Sequence, residues 1–443
     1  MRDRGEIMKL PGYVKEIIEI YHKAGYEAFV VGGCVRDYLL GKEPHDYDIA
    51  TNALPEVTIQ LFDRVILTGL KHGTVTIVSN EPVEVTTFRL ESEYKDHRHP
   101  EAVRFVNTIE EDLSRRDFTI NAMAYNDIRG LIDPFHGQID LEKRKIRCVN
   151  DPNTRFKEDA LRMLRAHRFA AKLNFDIEED TKLAIEKNSA LLRYISIERI
   201  RSELVEIMRY DPYELENMTE LLIGILPQLK QCKECEQNSP WHDTDVLHHT
   251  LRALKFLKPF DETLAWAILM HDFGKPETKT TKDGRDHFYG HPLISKNISL
   301  ELCNRLKLTN IQRKRIPVLI EYHDDHLNAN LKTIFKFRIQ RNFDEEMMEQ
   351  LLTLKYCDIM AHSLKGIQSI ENWRAFKAFY EKEIEIRPVS IKDLAINGND
   401  VIQYTDREGS QIYEFLYNVL IECFYEPQKN NRKYWIDRMT RKK

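Results

Sequence analysis

The sequence predicts an α+β N-terminal head, a small mixed sheet with helices, followed by an all-α neck and body and a further all-α domain. Three observations predict it. Short apolar runs of strand type, broken by glycine turns, fill the first part of the chain. From about Asp151 they give way to long helical patterns almost without glycine. Past a polar stretch at 231–240, histidines become frequent up to about His362. At 443 residues the chain is too long for one hydrophobic core. The expected divisions are a head over 1–145, a helical neck and body over 146–232, a histidine-bearing domain over 233–370 and a helical tail over 371–443.

Taken in order, Phe29-Val30-Val31 reads as a buried strand running into the turn Gly32-Gly33. Residues 74–78 and 83–88 read as two more strands. Apolar spacing then predicts helices over 159–173, 197–208 and 264–270. Charged residues make up 31% and hydrophobic ones 42%, the balance of a soluble globular chain. No run of about 18 apolar residues is present, so no membrane span is expected. The N-terminus lacks the pattern of a secretory leader. Seven scattered cysteines suit reduced thiols in a cytoplasm better than a disulfide framework. The net charge of −5 offers no pointer to nucleic acid, and the basic stretches at 143–147, 313–315 and 432–443 read as solvated faces.

The sharpest signal is Gly32-Gly33-Cys34-Val35-Arg36-Asp37, followed by Asp46-Tyr47-Asp48. Paired glycines after a strand let backbone N–H groups approach a phosphate, and Arg36 adds charge on the following helix. Asp46 and Asp48, two apart on an expected strand, project from one face and suit divalent cations bound to a triphosphate. Glu84 is the candidate third carboxylate, because Val83 and Val85 would point to the opposite face. Each element alone is more often an ordinary turn or a solvated pair; their order along the chain is what carries weight.

With Thr86-Thr87-Phe88-Arg89 and Arg115-Arg116-Asp117-Phe118-Thr119-Ile120-Asn121, the set resembles the class II branch of the polymerase-β-like nucleotidyltransferases. That branch holds bacterial tRNA CCA-adding enzymes and bacterial poly(A) polymerases, and the resemblance covers roughly residues 12–225. It implies Mg²⁺ on Asp46 and Asp48, with Glu84 completing the carboxylate set. It implies nucleotide contacts at Gly32, Gly33, Arg36, Arg116, Asp117 and Asn121. In the neck, Asp159, Arg162, Arg165 and Arg168 follow at intervals of three, a spacing that alone reads as an exposed helix with an Asp–Arg pair. The resemblance makes Asp159 and Arg162 the template for the incoming base, with Arg165 and Arg168 also on the nucleotide side. Cytosine and adenine both present an exocyclic amine beside an unprotonated ring nitrogen, so a carboxylate accepts from one while a guanidinium donates to the other. Guanine and uracil reverse both features, a mismatch that can discriminate by ~10⁴-fold. The expected activity is CCA addition to the tRNA acceptor arm from CTP and ATP. A poly(A) polymerase or an A-adding enzyme remains the alternative within the family. The polar stretch at 91–100 resembles the loop that complete CCA-adding enzymes use to switch from C to A.

His249, His271-Asp272 at the end of an apolar helix, His291, His323 and Asp358 suit a borderline divalent metal: Mn²⁺, Ni²⁺, Co²⁺ or Zn²⁺, with Mg²⁺ on the carboxylates. His271-Asp272-Phe273-Gly274-Lys275-Pro276 and the flanking histidines resemble the HD metal-dependent phosphohydrolase superfamily, which implies an all-α domain. His249, His271, Asp272 and Asp358 are the primary ligands of this reading, with His291 and His323 as further candidates. Phosphohydrolase activity follows as a hypothesis, and an alternative of another class makes this domain the enzyme and the head an RNA clamp. Cys232-x-x-Cys235 lacks a second pair, so a loop explains it more simply than structural zinc.

Overall fold

The structure, a computed structural model, describes residues 8–91 and 103–441 and forms two compact units, Met1–Pro227 and Gln228–Lys443. In the first unit, strands β1 (Ala28–Val31), β2 (Asp48–Thr51), β3 (Val65–Gly69), β4 (Thr74–Val78) and β5 (Pro82–Thr87) build one sheet. A separate antiparallel pair, β6 (Arg89–Glu91) and β7 (Val103–Phe105), follows. The strands β8 (Ala124–Asn126) and β9 (Gly130–Ile132) then close the main sheet in the order β3-β4-β5-β2-β1-β8-β9. Within this sheet pairing is antiparallel except between β2 and β5, which run parallel with Asp48 opposite Glu84. One face carries a core of Phe29, Val31, Ala50, Phe88 and Ile109, so the mixed sheet with helices expected of the head is what forms. The stretch at 92–100, with its expected switching role, lies outside the described residues.

Two details of the sequence reading are corrected. The strand expected to carry both aspartates begins at Asp48, and Asp46 sits in the segment just before it. The alternation persists nonetheless, since Tyr47 is buried between two exposed aspartates. Secondly, Asp159 is not helical. It ends the helix Pro152–Glu158 at φ −134°, ψ 104°, and the next helix spans Leu161–Leu173. The cause is local: the Asp159 carboxylate accepts from the Leu161 amide at 3.0 Å, a side-chain bond that competes with continuous helix. The Asp159–Arg162 ion pair therefore gives way to others. Arg199 Nη2 donates to Asp159 Oδ2 at 2.9 Å, and Arg162 Nη1 donates to Glu158 Oε2 at 2.7 Å.

The second unit is helical apart from a hairpin, Thr280–Lys282 with Arg285–His287. Its turn, Asp283-Gly284, holds both residues at positive φ, the backbone that a two-residue hairpin needs and that Asp-Gly supplies. The expected apolar helix spans Glu262–Met270, buried from Leu264 onward. Near the C-terminus, Ile396, Val401, Leu416, Cys423, Trp435 and Met439 form a separate small core. Asn397 caps the helix Gly398–Tyr404 by accepting from the Asn399 and Asp400 amides. All seven cysteines are free and buried. Among the described residues no helix is long and apolar enough to cross a membrane.

Candidate functional site

In the first unit a cavity of about 760 Å³ opens at the carboxylate end of β2. It is lined by Gly32, Gly33, Arg36, Asp46, Asp48, Arg116, Asp117, Asn121, Asp159, Arg162 and Arg165. Glu84 stands beside it, directly across the parallel pair from Asp48. Arg168 is not on the lining, because its Nε donates to Glu203 Oε2 at 2.7 Å. The lining also holds His45, His72, Arg89, Arg115, Phe169, Lys172 and Arg199, to which no role was assigned from sequence. Arg199 was legible only as one basic residue within a helical pattern, since its bond to Asp159 joins residues far apart in sequence.

The cavity is a meeting of opposite charges with a defined order. Loss of surrounding water raises the Asp48 carboxyl, and the carboxylates of Glu84 and Asp46 raise it further against the pull of Arg116. Such mutually repelling carboxylates suit a divalent cation. On the opposite side, Arg36 Nη1 donates to Asn121 Oδ1 at 2.8 Å, and Asn121 Nδ2 donates to Asp117 Oδ1 at 3.2 Å. Asp117 Oδ2 accepts from Arg165 Nη2 at 2.5 Å. Burial would raise the Asp117 carboxyl, but Arg165 outweighs it and holds the group down at about 2. Arg116 donates to Asp112 at 3.2 Å, while its buried Nε has no partner. Gly32 sits at φ +74°, a backbone that residues with a side chain rarely adopt, and a Cβ there would also crowd Arg116 Nη1 at 3.0 Å. Phe169 supports the guanidinium layer, with Arg36, Arg165 and Arg168 at 5.4, 5.5 and 4.4 Å from its ring centroid.

In the second unit the structure brings together all six histidine-domain candidates. His249, His271, Asp272, His291 and His323 are buried, with the Asp358 side chain 20% exposed. His271, His291 and His323 each direct Nδ1 to a backbone carbonyl, of Ile268, Phe288 and Ile320, at 2.6, 2.9 and 2.7 Å. An Nδ1–H bonded in that way leaves Nε2 as a lone pair, the tautomer a metal needs. Those Nε2 atoms converge on Asp272, at 3.3 Å from His271 and 3.2 Å from His291. His249 Nε2 lies 2.8 Å from Asp358 Oδ1.

Two observations fit a cation. His271 Nε2 and both Asp272 oxygens are buried without a hydrogen bond of good geometry, although the Lys275 ammonium lies 2.6 Å from Asp272 Oδ2. The Nε2 atoms of His291 and His323 are only 3.2 Å apart, a lone-pair contact that a shared metal relieves. Burial would raise the Asp272 carboxyl, but His271 and Lys275 outweigh it and hold it well below the carboxylate range. The cavity here measures about 380 Å³ and also takes in Trp241, His242, Lys275, Arg285, Tyr289 and His362. Neither Cys232 nor Cys235 joins any metal-type grouping among the described residues.

Sequence comparison gives this geometry its family. Residues 28–147 match the Poly A polymerase head domain, 174–232 match the probable RNA and SrmB-binding site of polymerase A, and 246–361 match the HD domain. A CCA-adding enzyme of Bacillus cytotoxicus is 46% identical over 434 residues, which cover 95% of this chain and 96% of that one. The chain belongs to the CCA-adding enzymes. A second CCA-adding enzyme, from Geobacillus thermodenitrificans, is 51% identical over 193 residues, and there the chain spans about half (48%) of the relative's length. The crystal structure of the Bacillus stearothermophilus CCA-adding enzyme in complex with CTP superposes with a TM-score of 0.74 at 27% identity, covering 98% of each chain. A nucleotidyltransferase head and an HD domain together imply dependence on divalent metal.

Proposed function

We propose that the chain adds C, C and A to the 3′ end of tRNA from CTP and ATP, without a nucleic-acid template. The observation that carries this is the convergence of Asp46, Asp48 and Glu84 beside an arginine-lined cavity, in a chain 46% identical to a CCA-adding enzyme over almost its whole length. Mg²⁺ held by these carboxylates would neutralise charge on the triphosphate and activate the tRNA 3′ hydroxyl. Gly32 and Gly33 let the backbone approach the phosphates, while Arg36 and Arg116 neutralise them. Asp117 and Asn121 hold Arg165 and Arg36 in place. Asp159 accepts from the exocyclic amine of C or A, and Arg162 donates to the ring nitrogen. Arg165 bounds the nucleotide, and Arg168 stacks on Phe169 and bonds Glu203 rather than the substrate. Positioning and charge neutralisation supply most of the rate, and pyrophosphate leaves.

In the same reading, His249, His271, Asp272 and Asp358, with His291 and His323, bind Mn²⁺, Ni²⁺, Co²⁺, Zn²⁺ or Mg²⁺ and hydrolyse phosphoesters. The working parts are the head 1–145, the neck and body 146–232, the HD part 233–370 and the tail 371–443, acting on the acceptor arm in the cytoplasm. Buried, unpaired thiols support a reducing compartment.

The test is incorporation of labelled nucleotides into tRNA transcripts ending before the CCA, after C and after CC. Ordered addition of C, C and A followed by arrest is expected, with Asp48→Asn abolishing it while tRNA binding persists. Addition of A alone, or long A tails, would replace this reading with an A-adding enzyme or a poly(A) polymerase. No incorporation would leave the HD part as the enzyme.

A further inference from the structure

The six HD candidates do not exhaust the imidazoles around Asp358. His362 follows Asp358 by one helical turn at the end of the helix Glu345–Ala361, so both groups share a face. Its Nε2 lies 3.9 Å from Asp358 Oδ1, and its Nδ1 is buried with no hydrogen-bond partner. His242 packs against it with ring centroids 4.8 Å apart, and against His249 at 5.0 Å. Ring nitrogens of His242, His249 and His362 all lie within 4.8 Å of one another. Ser239 Oγ engages His242 Nδ1 at 3.2 Å, so Nε2, whose neighbour is the Lys275 ammonium at a long 3.5 Å, is the nitrogen that faces a ligand.

Neither histidine is spent on the grouping around Asp272. His249 and His271 face Asp272 on one side, and His291 and His323 face it on another. Asp358 Oδ1 lies 2.8 Å from His249 Nε2 and 3.9 Å from His362 Nε2, so one carboxylate faces both imidazoles and lines the same cavity as His242 and His362. Two imidazoles and a carboxylate, opening into the 380 Å³ cavity, form a donor set suited to a borderline divalent ion with positions left for water or a phosphate oxygen. The geometry points to an additional divalent-metal site held by His242, His362 and Asp358, next to the ions the Asp272 groupings would hold. Asp358 is then shared between neighbouring ions. Lys275 Nζ lies 3.5 Å from His242 Nε2, and it is also anchored on Asp272 at 2.6 Å and Gln237 Oε1 at 2.8 Å. A fixed ammonium so near weakens any cation beside it, so this site fills at higher metal concentration than the others.

The inference rests on metal binding by the HD part, and the experiment separates the two. The full-length protein is stripped with chelator and titrated with Zn²⁺ and, separately, Mn²⁺, with bound metal counted by elemental analysis and calorimetry. Wild type is expected to show a weaker binding phase above the tighter one. His242→Gln with His362→Gln should lose that weaker phase, one equivalent per chain, and keep the tighter one. His271→Ala should lose tight binding. A double Gln variant with the full wild-type count overturns the additional site while leaving the HD reading intact. A wild-type protein that binds no metal overturns both. The amide variants preserve side-chain bulk, and a melting curve like that of wild type shows that a lost equivalent is not a lost fold. A double variant that does not fold leaves the wild-type titration to decide, where a single tight phase with no weaker one overturns the site.

Discussion

Asp159, the proposed reader of the incoming base, lines the cavity in an orientation set by another side chain. With Arg199 on one oxygen and the Leu161 amide on the other, the carboxylate is fixed before a nucleotide arrives. A charge-assisted hydrogen bond of this kind contributes roughly 1.5–3 kcal/mol. Arg199→Ala is therefore expected to lower kcat/KM for CTP and ATP by about ten- to a hundredfold and to raise misincorporation of UTP and GTP. Discrimination unchanged from wild type would show that Arg199 does not position the template. Asp117 gives a pH-dependent case. Its folded-state pKa of about 2 lies below the ordinary 3.8, so its ion pair stabilises the fold above about pH 4 and is lost as pH falls toward 2. The contribution at neutral pH is about 2 kcal/mol. Asp117→Asn should lower the midpoint of chemical unfolding at pH 7, and should lose less further stability than wild type between pH 4 and pH 2. Equal slopes in the two proteins would remove the pair from the acid response.

The helix Leu161–Leu173 places Phe169 beneath three guanidiniums. Phe169→Leu keeps an apolar side chain there but removes the ring face, worth roughly 0.5–2 kcal/mol where cations are desolvated. The expected result is a several-fold rise in KM for both nucleotides with the C-to-A preference intact, read by steady-state incorporation. A change in preference alone would assign Phe169 to base selection. The strands and helices were largely readable from sequence, because alternation in β4 and β5 and apolar spacing in Ile197–Tyr210 answer to burial that repeats with local period. The break at Asp159 was not, since a side-chain-to-amide bond costs nothing in the helical pattern around it. The glycine turn and the aspartates were legible as an ordered motif. Arg199, Phe169, His242 and His362 were not, because each matters through a partner that is remote in sequence or through a ring stacked in space. The hairpin at Asp283-Gly284 left a two-residue signal that the helical surroundings obscured.

Over the whole molecule, the nucleotidyltransferase residues and the metal-type histidines fall in different compact units. A metal that binds the folded second unit and not its unfolded chain stabilises it by mass action, about 2.7 kcal/mol at a hundredfold excess over Kd. Calorimetry with added Zn²⁺ should therefore raise the transition of that unit, and His271→Ala should remove the effect. Nucleotide incorporation by His271→Ala should remain at the wild-type rate under Mg²⁺. Loss of incorporation in a well-folded variant would show that the two sites are coupled.

The seven thiols also make the chain its own reporter. Cys34 and Cys148 lie within the first unit, and Cys232, Cys235, Cys303, Cys357 and Cys423 within the second, all buried, with Cys34 on the wall of the nucleotide-sized cavity. At the six thiols away from that cavity a reagent reacts largely as often as the surrounding structure opens, so peptide-resolved alkylation reads breathing in each half without any engineered probe. A single cysteine introduced on the surface would then take a dye selectively, with every native sulfur left in place.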